Sequence, residues 1–489
     1  MTAHPRSRLP AASSRTLLAV LIAALLTASG VFVLARETPA VVGPGCDSPP
    51  VGPSPQSPIR HLFIIIKENH AFENYFGAYP GVVGYPANGS FPTSFGANST
   101  VSPFPLNQSS TPDLPHDHAS EVVDEDQGRN DLFVAQAAAM GAPDPSAAVG
   151  YYGASQIPQY YAYARSYALG DRFFSGYLGP TAPNRDFDLA ATTDGQTTDA
   201  EPAVGSLGAP TVLNQLADAG VPWAYDYTGN RGNLTPLEFQ DIASRPCEVQ
   251  AVQPVSNLSA QLAEAAPPSV VFVDPSHDPV GPNGLDGVSE HPPDNVTIGA
   301  DWTTALVNAI FSSAVGPSSA VLLYFDEAGG FWDPVAPPVV AGSPDGFRVP
   351  FLVMSGFTPQ GLVVDQTMDP ASVIAFIDWN WGLPPLNARV AGSAGLGPFF
   401  AFGAAPRPPV LLPTPFNLTS LGNESEGTND AASTPSAEPA ANLDTSPAGF
   451  AHAPGPSARV QEMVGLVGGR DPPPIRGIPV ERPRGRFIV

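Results

Sequence analysis

The chain has 489 residues, 21 of them basic and 45 acidic, for a net charge of −24. A surface so poor in cations excludes nucleic acid as a partner, because binding it needs Lys and Arg contacts to phosphate. The length admits two or three domains, but composition confines the folded part to residues 59–412, ample for a sizeable core.

In chain order, Arg6, Arg8 and Arg15 precede an uncharged apolar run over residues 17–35. This is the pattern of an export segment, at the border between a signal peptide (1–36) and an N-terminal membrane anchor. Either reading places the protein outside the cell, secreted or at the cell surface. Residues 37–58 are rich in Pro and Gly and read as a linker. Cys46 and Cys247 can pair in an oxidising compartment or stand as two thiols. Sequons at Asn88, Asn98, Asn107, Asn233, Asn257, Asn295, Asn417 and Asn423 make a glycoprotein chemically feasible.

A continuous apolar run from His61 to Lys67 reads as a strand buried on both faces, and it stops on Glu68-Asn69. Further such runs cover 269–273, ending at Asp274, 320–325, ending at Asp326-Glu327, and 348–354. Helical patterns fall at 157–167, 213–219, 301–312 and 371–381. Alternating strands and helices predict an α/β domain with a mostly parallel sheet, whose ligands sit beyond the carboxyl ends of the strands. Residues 413–489 are dominated by Pro, Ala, Ser and Gly and are expected to stay disordered.

The pairs Glu68-Asn69 and Asp326-Glu327 at strand ends are the strongest chemical signal. Adjacent buried carboxylates repel one another unless a cation compensates them. Oxygen ligands without cysteine suit a divalent ion such as Ca, Mg, Mn or Fe. Thr181, after Gly179-Pro180 and before Pro183-Asn184, is placed for a loop-to-helix junction whose free N–H groups receive an anion. His116 and His118, in a His-x-His pattern, and His291, in Glu290-His291-Pro292-Pro293, suit contacts to phosphate or proton transfer.

Five stretches in order resemble the bacterial phosphoesterase family of phosphatidylcholine-type phospholipases C and related acid phosphatases. They are Glu68-Asn69-His70-Ala71-Phe72-Glu73-Asn74-Tyr75-Phe76-Gly77, Asp171-Arg172-Phe173-Phe174 with Gly179 to Arg185, His291-Pro292-Pro293, Asp326-Glu327 with Gly329-Gly330-Phe331, and Gly346-Phe347-Arg348-Val349-Pro350. The resemblance implies an alkaline-phosphatase-like three-layer α/β/α sandwich. It also implies a divalent metal held by Glu68, Asn69, Thr181, Asp326 and Glu327, with Thr181 as nucleophile and His291 and His116 at the phosphate or the leaving alcohol. The implied substrate is a phosphate ester, such as a phospholipid head group. Arg, Ser, Asp and His of the family's first motif become His70, Ala71, Glu73 and Asn74 here, which marks a difference in what is bound. A sulfatase-like hydrolase, disfavoured by Thr181, and a non-catalytic surface glycoprotein of the same fold are the competing expectations.

Overall fold

The computed structural model describes residues 52–86, 89–229, 235–275, 288–340 and 342–416. The export segment, Cys46, the sequons at Asn88, Asn233, Asn417 and Asn423, and nearly all of the C-terminal tail lie outside them. Among the described residues no helix is long and apolar enough to cross a membrane.

The central sheet has eight strands: β1 His61–Lys67, β2 Ala168–Gly170, β3 Trp223–Tyr227, β4 Val252–Pro254, β5 Val270–Asp274, β6 Ser319–Phe325, β7 Phe351–Ser355 and β8 Leu362–Val364. Their order is β8-β2-β7-β6-β1-β5-β3-β4. β7 alone runs against its neighbours; the other pairings are parallel. Every residue of β5 and β6 is buried, which requires cover on both faces and explains why these strands read as unbroken apolar runs. The α/β class with a mostly parallel sheet is therefore as expected. The run at 348–354 behaves differently: its strand begins only at Phe351 and is antiparallel.

The main helices are α1 Phe72–Phe76, α2 His118–Glu125, α3 Pro158–Ser166, α4 Thr181–Ala190, α5 Val212–Asp218, α6 Val296–Ser312 and α7 Pro370–Trp381. α3 packs with α6, and α4 packs with α5 and α7. α6 starts earlier than its periodicity suggests because Asn295 caps it, accepting from the N–H groups of Thr297 and Ile298. That sequon amide is thus committed to a helix end, whereas Asn98 and Asn107 are exposed. The folded domain also runs past residue 412. Leu412 exchanges two hydrogen bonds with the Asn308 side chain, Thr414 Oγ1 donates to the Asp301 carbonyl at 2.7 Å, and Phe416 packs on the core.

Registry fixes where the chemistry gathers. Lys67 pairs with Phe325 across β1 and β6, and Ile65 with Val273 across β1 and β5. Glu68, Asp326 and Asp274 therefore emerge at the same end of three adjacent parallel strands.

Candidate active site

Just beyond β1 the backbone turns at Asn69, whose φ of 63° is a left-handed conformation that Asn tolerates. Its N–H donates to Asp326 Oδ1 at 3.1 Å. Its side-chain oxygen accepts from Thr181 Oγ1 at 3.3 Å, and its Nδ2 donates to His116 Nε2 at 3.2 Å. One amide thus ties together the strand ends, the threonine and a histidine.

Thr181 is the first residue of α4, with Pro180 as its N-cap. The expected loop-to-helix junction is present, and Asn184 explains how it is held. The Asn184 side chain accepts from the N–H of Tyr177 at 2.9 Å and donates to the carbonyls of Gly179 and Pro180 at 2.9 and 3.0 Å.

The acidic pair after β6 is fully buried. Asp326 Oδ1 accepts the N–H groups of Asn69 and Glu327, at 3.1 and 2.7 Å. The two glycines that follow allow the neighbours to close in. A Cβ at Gly329, where φ is 64°, would lie 2.2 Å from the Asn69 carbonyl oxygen, and one at Gly330 would lie 2.8 Å from both Leu114 Cβ and the Pro115 carbonyl oxygen. That approach brings His116 to 3.7 Å from Glu327 Oε1.

Sequence reasoning missed Arg185. One turn into α4, its guanidinium reaches Asp326 at 3.2 Å, Asp274 at 3.1 Å and Glu68 at 3.2 Å, and donates to the Ile66 carbonyl at 3.2 Å. Arg185 stood in the quoted motif; the signal was an arginine one turn after the threonine, beside a domain end rich in carboxylates. It offsets part of the charge of Glu68, Asp274 and Asp326 within the protein itself.

The remaining charge balance is still acidic. Burial pushes the Glu68 carboxyl well up, against the pull of Arg185. Burial raises Asp326 too and takes Glu327 to about 8, with His116 opposing and Asp326 reinforcing the rise. For His116, burial disfavours the charged ring, but Glu327 and Asp113 outweigh it and the pKa is raised.

These residues are compatible with a divalent cation. Glu327 Oε1 is buried without a hydrogen-bond partner, and a carboxylate, an amide and a hydroxyl oxygen form a donor set for a hard ion. Glu68 and Asp326 share the guanidinium of Arg185. A separate group, Asp113, His116 and His291, brings one ligand atom each within 4.8 Å of the others.

His291 stands one ring away from the centre, its imidazole 6.0 Å from that of His116. Its loop is anchored from below. Lys67 Nζ lies 3.1 Å from Glu290 Oε1, both fully buried, and also donates to the Val288 carbonyl. Tyr75 and Tyr160 donate to the same carboxylate. His118, by contrast, turns to the Leu178 carbonyl at 2.5 Å and does not join His116.

The altered residues of the first motif also differ from expectation: His70, Glu73 and Asn74 are fully buried. His70 contacts Asn74 Oδ1 at 2.7 Å and the Glu290 carbonyl at 2.8 Å. Glu73 joins Asp171 and Asp333 around Arg348, at 2.9, 3.0 and 2.9 Å. They build the floor beneath the site rather than its binding surface.

A threonine at a helix start, hydrogen-bonded to the end of a parallel sheet and flanked by carboxylates and imidazoles, is the arrangement of an ester-bond hydrolase. The particular family follows from comparison: the chain belongs to the phosphoesterase family, whose model matches residues 59–384. Among curated relatives, phospholipase C A of Mycobacterium tuberculosis is 27% identical, over 69% of this chain and 76% of its own. Non-hemolytic phospholipase C of Pseudomonas aeruginosa is 25% identical, over 67% of this chain and 55% of its own. Among solved structures, the phosphonate monoester hydrolase of Agrobacterium radiobacter aligns with a TM-score of 0.34 and 10% identity, over 71% of this chain and 78% of that one.

Proposed function

We propose that the protein is an exported, metal-dependent phosphoesterase of the phospholipase C type, acting through Thr181. The observation that carries this is the hydrogen bond from Thr181 Oγ1 to Asn69 at 3.3 Å, which sets a helix-initiating hydroxyl beside the buried acidic pair. A divalent cation held by Glu68, Asn69, Thr181, Asp326 and Glu327 would lower the pKa of the hydroxyl and offset phosphate charge.

The chain's own groups then have distinct tasks. The backbone N–H groups of Thr181 and Ala182, at the start of α4, receive phosphate oxygens. Thr181 Oγ1, ionised with its proton released to solvent, attacks phosphorus in line, its bond forming as the bond to the alcohol oxygen breaks. An imidazolium, His291 or His116, gives the alcohol its proton. The resulting neutral imidazole takes a proton from water, which attacks phosphorus and expels Thr181 from the phosphothreonine as the alkoxide that begins the next turnover, the imidazolium being restored at the same time. Arg185 holds Glu68 and Asp326 in place throughout. The residue 17–35 segment directs the chain out of the cell and, if retained, tethers it to the membrane whose lipid head groups supply the phosphate ester.

The test uses the purified chain with p-nitrophenyl phosphate and p-nitrophenylphosphorylcholine, with and without chelator, beside Thr181→Ala. Thr181→Ala is expected to lower kcat by on the order of a thousandfold or more, with its melting temperature little changed. Chelator is expected to abolish turnover, and added metal to restore it. Activity indifferent to both treatments rejects the mechanism.

A further inference from the structure

The start of α4 holds an anion of the protein's own. The backbone N–H of Ala182, the residue after Thr181, donates to Asp199 Oδ1 at 3.0 Å. Asp199 is exposed and lies on the segment between α4 and α5, which is pinned at both ends. On one side Asp194 Oδ2 accepts the N–H groups of Gly208 and Ala209, at 2.6 and 3.0 Å. On the other, Gly205 N–H donates to the Leu237 carbonyl at 2.9 Å. The Asp199 charge is also felt by His116 and Glu327, the two groups that face each other across the site.

An N–H at a helix start beside a nucleophile is a natural seat for one oxygen of a phosphate. We propose that Asp199 is a specificity-determining residue. It occupies the place of one phosphate oxygen in the substrate-free protein, and it selects monoanionic phosphodiesters over dianionic phosphomonoesters. The proposal rests on Thr181 being the nucleophile.

The charge around that seat supports this. The nearby guanidinium, Arg185, is already shared among three carboxylates. Asp113 adds a further negative charge 3.6 Å from His116. A phosphomonoester near neutral pH carries close to two negative charges, so its second charge would face Asp199 at short range. A diester carries only one, because its second esterified oxygen is uncharged. When the substrate displaces Asp199 from Ala182, the released carboxylate remains at the rim and favours a cationic substituent on the leaving alcohol.

The experiment compares the full chain with Asp199→Asn and Asp199→Ala, both at an exposed position that is not part of the core. Calorimetry reads the affinity for inorganic phosphate, which requires no turnover. Kinetics read the ratio of kcat/KM for p-nitrophenyl phosphate to that for p-nitrophenylphosphorylcholine. Removing the charge is expected to tighten phosphate binding roughly tenfold and to raise the monoester-to-diester ratio by a similar factor. Unchanged phosphate affinity and an unchanged ratio in both variants overturn the inference. If Thr181→Ala keeps full activity, the nucleophile assignment falls; if Thr181→Ala is inactive while the Asp199 variants match the parent, only the selector role falls.

Discussion

Asn69 meets the opposing groups of the site with both ends of its side chain, while its left-handed backbone sends its N–H to Asp326. Asn69→Gly keeps that backbone conformation free of strain and removes both side-chain contacts. We expect kcat to fall on the order of a hundredfold with a small change in melting temperature, read by steady-state kinetics beside thermal unfolding. A second residue carries a pH signature. Asp226 on β3 is fully buried, with Gln261 Nε2 donating to it at 2.7 Å and its other oxygen unpartnered. Burial raises its pKa to about 8 from 3.8, against the opposing bond from Gln261. The unfolded chain ionises first, so stability present at low pH is lost as pH rises from about 4 through about 8. Asp226→Asn should remove that loss, gaining on the order of 2–5 kcal/mol at pH 8 and little at pH 4. Thermal unfolding across pH checks it, and parallel curves for the two proteins would refute it.

At the scale of elements, the site is a meeting of ends: three parallel strands, the start of α4 and the loop carrying His291. Lys67 and Glu290 join the end of β1 to that loop. Removing only the lysine leaves a buried carboxylate uncompensated, so Lys67→Met should cost about 3–5 kcal/mol. Lys67→Met combined with Glu290→Gln should recover most of it, as measured by denaturant unfolding. If His291 protonates the leaving alcohol, the double variant should lose more rate on a poor leaving group such as an alkyl ester than on p-nitrophenyl esters; equal losses would leave the pair a purely structural role. The turn after β6 makes a separate demand. Gly329→Ala places a methyl against the Asn69 carbonyl in a left-handed turn and should destabilise the fold by about 1–3 kcal/mol.

For the whole molecule, the sequence exposed the strand ends because β1, β5 and β6 are buried on both faces and read as unbroken apolar runs. Glu68, Asn69, Asp326 and Glu327 stand out for the same reason, since they end those runs, whereas Thr181 and His116 were named as site candidates through the family resemblance. Arg185 and Asp199 were not, since their meaning depends on partners remote in sequence. The short strands β2, β4 and β8, of three residues each, carry too little periodicity to be recognised. Their pairing comes from tertiary neighbours. His70, Glu73 and Asn74 suggested altered binding because polar residues beside a motif look functional, whereas in the interior His70 bonds to Asn74, and Glu73 pairs with Arg348. The net charge of −24 sets one global expectation. Arg185, Arg348, Arg389 and Lys67 are buried together with a larger number of carboxylates, so the surface is less acidic than composition suggests, while acids still outnumber basic groups about two to one over the chain. Raising salt from low to physiological strength should therefore raise the melting temperature by screening self-repulsion; a fall would show that internal ion pairs dominate instead.

Lys67 is the single lysine of the chain, and its ammonium is sealed at the floor of the site. An acylating reagent such as an N-hydroxysuccinimide ester therefore finds this side-chain amine only when the end of β1 comes apart. The extent of modification at one residue, followed over time by mass spectrometry, becomes a clock for opening of the catalytic centre, supplied by the native sequence without any introduced label.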